Sequence, residues 1–177
     1  MIYDISMMIH QDMQVYKNKA EKKPSFKTLE NHQDNHVHET EIKMGLHTGT
    51  HVDYPLHMIQ DGKTSDNESL LELIGTCKVL DLTEVDVIDE EILSRYNIDE
   101  DDFILFKTKN SLSDDFIFDF VYLTADGAEY LKKKKIRGVG TDALGIERSQ
   151  PDHPTHKLLL EDDIIIIEGL RLKDIKE

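Results

Sequence analysis

The sequence predicts a mixed α/β fold held in a single domain over residues 1–177. Three observations lead there. Apolar runs with strand character, CKVLDL, DFILFKT and DIIIIEG among them, recur along the chain, and only two segments between them carry helix signals. No glycine-rich loop follows a strand: GVGTDALG comes nearest, but its glycines lack the phosphate-binding spacing, which argues against a simple doubly wound nucleotide-binding sheet. At 177 residues, without an internal repeat or low-complexity linker, the chain can bury one sizeable core.

Taken in order, YDISMMI (3–9) reads as an opening strand. The polar arm QDMQVYKNKAEKKPSF (11–26), with Pro24 and its lysines, reads as a surface loop. VHETEIKMG (37–45) alternates as a strand does. CKVLDL (77–82) and DFILFKT (102–108) are further strands, separated by a short amphipathic helix in DEEILSRYN (89–97) that opens at Asp89. LTADGAEYLKKKKI (123–136) is a helix capped by Thr124, with lysines at its C-terminal end, where the helix dipole favours cations. The run Lys132–Lys135 is read as a solvated helix end, not a phosphate patch. IRGVGTDALG (136–145) and DIIIIEG (163–169) are buried strands. Cys77 is the only cysteine, which rules out an internal disulfide, and it is expected to be buried in its strand as a small hydrophobe.

The formal charge is −15, with pI near 4.9. Such a surface repels nucleic-acid phosphates and anionic membranes and leaves small molecules or proteins as partners. The longest apolar run, Ile164–Ile167, is far too short to span a bilayer, and the N-terminus lacks a basic segment followed by a long apolar one. Cytoplasm is the expected compartment.

The chemistry concentrates in GLHTGTHVDYPLHMIQDG (45–62), where His47, Gly49, His51, Asp53, Pro55 and His57 fall on every second position. A straight strand would put them on one face, but it separates residues i and i+4 by roughly 13 Å, whereas two ligands of one ion lie within about 4 Å of each other. A helix is disfavoured by Thr48, Gly49, Thr50 and Val52 and blocked by Pro55. The segment is therefore expected to bend, with Gly49 supplying the turn between the histidines and Pro55 stiffening the exit. His47, His51 and Asp53 then form a borderline-hard set suited to zinc, manganese or iron, with coordination positions left open for water. His57 could be a further ligand or a base. Near the C-terminus, His156 precedes a loop, and Glu168 ends a strongly apolar strand where a carboxylate needs a partner. The histidines of NHQDNHVHE, His32, His36 and His38, lie in a polar stretch without the glycine turn and read as surface residues.

HTGTHVDYPLH matches at every fixed position the signature of the cyclase family of metal-dependent hydrolases, which includes kynurenine formamidases and isatin hydrolases. The sequence resembles that family over nearly its whole length, through YDIS, GVGTDALGIE and THKLLLEDDIIIIEGL as well. The resemblance implies a swivelling β/β/α fold and assembly into homodimers or homotetramers. It implies two divalent cations, zinc or manganese: one held by His47, His51 and Asp53, the other by Asp53, His156 and Glu168, with Asp53 bridging and His57 as general acid/base. The implied activity is hydrolysis of a carbon–nitrogen bond in a small, aromatic substrate such as N-formylkynurenine, or of an isatin-like lactam or lactone; a non-catalytic metal-binding module is the alternative. The departures concern the substrate. The first loop of kynurenine formamidases carries a tryptophan and a Pro-Gly pair, whereas this chain has MQVYKNKAEKKP there and no tryptophan at all. Tyr16 is the residue placed to stack on an aromatic substrate instead.

Overall fold

The structure, a computed structural model, describes residues 2–67 and 69–176. Its principal element is a five-stranded mixed sheet in the order β3-β7-β6-β5-β4, formed by β3 (His51–Asp53), β4 (Lys78–Leu82), β5 (Phe103–Thr108), β6 (Gly138–Thr141) and β7 (Ile165–Glu168). Strands β4 to β7 run parallel, and β3 joins the edge antiparallel to β7. A separate antiparallel ribbon pairs β1 (Ser25–Glu30) with β2 (Glu39–Lys43), Phe26 standing opposite Ile42.

The parallel strands are buried on both faces, as expected of near-continuous runs of Val, Ile, Leu and Phe. On one face Leu80, Leu82, Ile104, Phe106, Val139 and Ile166 meet Leu93 from α1 (Glu90–Leu93), Leu131 from α2 (Ala125–Lys134) and Leu159 from α3 (Pro154–Leu160). Each such side chain, fully buried, contributes about 1.5–3 kcal/mol of hydrophobic stabilisation. Phe103 and Leu105 on the opposite face pack against Leu170 and Leu172. Both expected caps are present. Asp89 accepts from the Ile92 amide at 2.8 Å, and Thr124 accepts from the Gly127 amide at 3.3 Å. Lys132, Lys133 and Lys135 pair with Asp162, Glu129 and Glu100, as a solvated helix end does.

Four local expectations need correction. Residues 3–9 form no strand: the segment bends at Ser6 and is tied by single hydrogen bonds from the Arg171 amide to Ile5 and from the Met7 amide to Thr50. Without a ladder partner, apolar character alone does not make a strand. The arm at 11–26 is not wholly a surface loop, since Met13 and Val15 are buried beside Phe116, Phe120 and Leu144. Cys77 is exposed, one residue ahead of β4. His156 lies within α3, not before a loop. No helix of the described residues is long and apolar enough to cross a membrane.

Candidate metal centre

The centre forms where β3 meets β7. In the antiparallel register His51 stands opposite Glu168 and Asp53 opposite Ile166, so the two-residue alternation of β3 puts His51, Asp53 and Glu168 on one face. Two glycines let the strand ends approach. Gly49 (φ +70°) and Gly169 (φ +74°) both occupy the left-handed region, and a Cβ on Gly169 would meet the Gly49 carbonyl oxygen at 2.4 Å. Thr50 fastens the junction, its hydroxyl donating to the Gly169 carbonyl at 2.6 Å while accepting from the Met7 amide. The expected bend is therefore real: the Gly49 turn carries His47 back until its Nδ1 lies 3.0 Å from His51 Nε2.

The sequence-expected ligands fall into two groups around Asp53. His47 Nδ1 lies 2.8 Å and His51 Nε2 3.4 Å from Asp53 Oδ1. On the other side, His156 Nε2 lies 3.5 Å from Asp53 Oδ2 and 3.5 Å from Glu168 Oε1. All these separations are within the roughly 4 Å that two ligands of one ion span. His57, in the single turn Pro55–His57, stacks its ring 4.0 Å from that of His47 and 5.6 Å from that of His156. Its ligating atom is also close to those of His47 and Asp53, so position alone permits either role that the sequence leaves open.

The donor chemistry fits a cation. Asp53 is buried, and neither of its carboxylate oxygens has a hydrogen-bond partner; the imidazole nitrogens approach at ion-pair distance without a well-aligned N–H between them. A buried carboxylate without donors is costly unless positive charge compensates it. The remaining imidazole nitrogens are engaged in ways that free the inward ones. His51 Nδ1 contacts the Gly49 carbonyl at 3.0 Å, and His156 Nδ1 contacts Glu147 Oε1 at 2.6 Å. With a cation bound, each arrangement would favour the tautomer whose Nε2 lone pair faces the carboxylates.

Electrostatics point the same way. Burial opposes ionisation of Asp53, but the imidazoles of His156, His47 and His51 outweigh it and hold the carboxyl far below the ordinary range. Burial likewise opposes charge on His156, yet Asp53, Glu147 and Glu168 raise its imidazole to about 11. His51 is raised too, Asp53 and Glu168 overcoming its burial. His57 behaves oppositely. Burial, joined by the neighbouring His47 and His156, holds its imidazole below the usual value against the pull of Asp53 and Glu168, which disfavours the imidazolium.

An open cleft of about 660 Å³ leads to these groups, rimmed by Tyr16, Lys22, Met58, Leu144 and His153. Tyr16 stands edge-on to Phe116 at 5.6 Å, with Lys17 and Lys22 each 5.2 Å from its ring centre. Sequence reasoning missed Glu147 and His153, and also Lys22 at the rim. The visible signal for Glu147 was an acid nine residues before His156 in ERSQPDHPTH.

A mixed sheet whose edge gathers imidazoles and carboxylates defines the class first: an α/β protein with His, Asp and Glu groups able to hold metal ions beside a cleft. The Cyclase family model matches residues 3–148, and the chain belongs to that family. It is similar to a kynurenine formamidase of Erythrobacter litoralis, 32% identical over 77% of this chain and 63% of the relative, so the match spans somewhat less than two thirds of that protein. It is also similar to a solved structure described as a predicted metal-dependent hydrolase from Bacillus stearothermophilus, with 52% identity, a TM-score of 0.90, and coverage of 99% of this chain and 84% of that one. Isatin hydrolase A from Labrenzia aggregata shares the fold, with a TM-score of 0.81 at 23% identity over 97% of this chain and 81% of that one.

Proposed function

We propose that the protein is a metal-dependent hydrolase that cleaves the carbon–nitrogen bond of a small, aromatic amide such as N-formylkynurenine. His47, His51 and Asp53 hold one divalent cation and Asp53, His156 and Glu168 a second, zinc or manganese, with Asp53 shared. The observation that carries this reading is Asp53 itself: a buried carboxylate without a hydrogen-bond donor, each oxygen facing a different set of ligands.

When bound, such cations bring the acidity of a water toward neutrality and offset charge developing on a carbonyl oxygen. The chain's own residues do the rest. His57, whose surroundings disfavour the imidazolium, accepts a proton from the attacking water. Addition to the carbonyl carbon is followed by cleavage of the carbon–nitrogen bond, and His57 returns the proton to the leaving nitrogen. Tyr16 offers a ring face at the cleft rim, and Lys22 a cation for an acidic substituent.

The exposed ribbon supports assembly into a homodimer or larger oligomer. An isolated two-stranded ribbon is marginally stable in water, and this one leaves Phe26, Leu29 and Ile42 exposed. Light scattering at micromolar concentration should return at least twice the monomer mass. We place the whole chain as one catalytic unit, working in the cytoplasm on a small molecule.

The direct test is N-formylkynurenine hydrolysis by zinc- or manganese-loaded protein, against a chelated control and His57→Ala. Turnover that needs metal and disappears in the variant supports the reading. Bound metal without turnover would redirect the search to isatin-like lactams and lactones, with the altered first loop as the seat of specificity, and bound metal without turnover on any of these would leave a non-catalytic metal-binding module; turnover and metal both absent would overturn the metal reading.

A further inference from the structure

Glu147 has no role in the chemistry proposed above, yet it makes four polar contacts beside the centre. It is buried. Its Oε1 lies 2.6 Å from His156 Nδ1 and 2.9 Å from His153 Nδ1. Its Oε2 accepts from the Thr155 amide and from the Gln150 side-chain amide, both at 3.1 Å. Gln150 is anchored in turn: its Nε2 donates to the Leu123 carbonyl and to Thr155 Oγ1, and its Oε1 accepts from the Ala125 amide. The loop that makes these contacts is strained, with Ser149 (φ 57°), Asp152 (φ 64°) and His153 (φ 53°) all in the left-handed region without being glycine. Three such residues within five persist only where the surroundings dictate them.

We infer that Glu147 is a positioning residue of the metal centre: it fixes the ring orientation and tautomer of His156, so that Nε2 faces Asp53 and Glu168, and holds His153 at the cleft rim through the same oxygen. The inference rests on reading His156 as a ligand. A carboxylate on the far nitrogen of a ligating imidazole sets the tautomer and raises ligand basicity, and its loss typically weakens metal binding by about 10- to 100-fold. The alternative is a purely structural role, since the same carboxylate binds the Thr155 amide in the first turn of α3.

Zinc affinity, measured by competition with a chromophoric chelator, separates the two. Glu147→Gln keeps an acceptor oxygen and the volume of the side chain, and should weaken zinc binding on the order of tenfold; Glu147→Ala should weaken it toward 100-fold. Nitrogen-15 spectra of zinc-loaded wild type should report the His156 Nδ1–H tautomer, with that proton signal shifted or lost in Glu147→Gln. If Glu147→Ala does not fold, Glu147→Gln decides alone. Zinc affinity within twofold of wild type and an unchanged His156 signal in Glu147→Gln would overturn the inference. His156→Ala is the separating control. If it too binds two zinc ions as tightly as wild type, the ligand reading itself fails; if it loses zinc while Glu147→Gln does not, only the positioning role fails.

Discussion

Asp53 and Asp142 are equally buried, 2% and 3% exposed, and they are solvated in opposite ways. Asp142 accepts five hydrogen bonds: from the amide and hydroxyl of Thr108, from the amide and hydroxyl of Ser111, and from the Asn110 side chain, at 2.6–3.1 Å. Asp53 accepts none. Burial pushes the Asp142 carboxyl up, with its hydroxyl and amide donors pulling against it, while Asp53 is held far down by imidazoles. The contrast separates two uses of a buried acid. One ties a loop to the sheet and is complete as it stands; the other gathers imidazole nitrogens and, on the reading proposed above, would be completed by a cation.

Substitutions should break the pair in opposite directions. The largest effect is expected from Asp53→Ala, which should remove both cations and reduce hydrolysis by at least about 10³-fold, the scale of losing a central group of the reaction. Metal analysis and steady-state rates check it. Should Asp142→Ala do the same, the contrast is wrong. That variant should instead unfold more easily, by about 3–5 kcal/mol, because it strands buried donors, while its folded fraction keeps metal. Denaturant titration measures the loss.

His57→Ala sharpens the contrast by leaving Asp53 intact. It should slow hydrolysis by about 10²- to 10⁴-fold with metal content unchanged. If metal content falls too, His57 is a ligand, the other role its position permits. The smallest effect concerns pH. The raised imidazole of His156, about 11 against an unfolded value of 6.5, contributes stability that is fully present below 6.5 and is lost as pH rises through about 11. Chelator-treated protein should therefore melt at a lower temperature at pH 10 than at pH 6, and zinc should flatten that dependence. A chelated protein equally stable at both values would show that the carboxylates are compensated some other way.

What was legible in the sequence follows the same line between local and distant causes. The strands at 78–82, 103–108 and 165–168 announce themselves through runs of Val, Ile, Leu and Phe, and α2 through Thr124 at its start. The motif at 47–57 was readable because its geometry is local: Gly49 can turn, and the turn brings His47 to His51 and Asp53. His156 and Glu168 drew attention in their own segment, Glu168 as a strand-end carboxylate in need of a partner, but their assignment to a second cation came only through resemblance. Their approach depends on the β3–β7 register, which no short window encodes. Helix α3 escaped notice because seven residues opening on Pro154 carry little periodicity, although Thr155, His156, Leu159 and Leu160 line its buried side. The strand expected at 3–9 failed because the segment has no ladder partner, although Met7 is buried, and the buried Cys77 failed because no neighbour covers that side chain ahead of β4.

The paired glycine turns have a consequence for the chain as a whole. Thr50 and Gly169 are 119 residues apart in sequence, and the His51–Glu168 register closes nearly the same span at the sheet edge. A cation shared across that junction is a cross-link, and a cross-link closing a loop of about 100 residues is worth up to about 4.7 kcal/mol against the unfolded ensemble. With a single cysteine the chain has no disulfide to do this. A bound cation would be its clasp, and stripping it should let the edge strand β3 peel from β7 ahead of the rest of the fold.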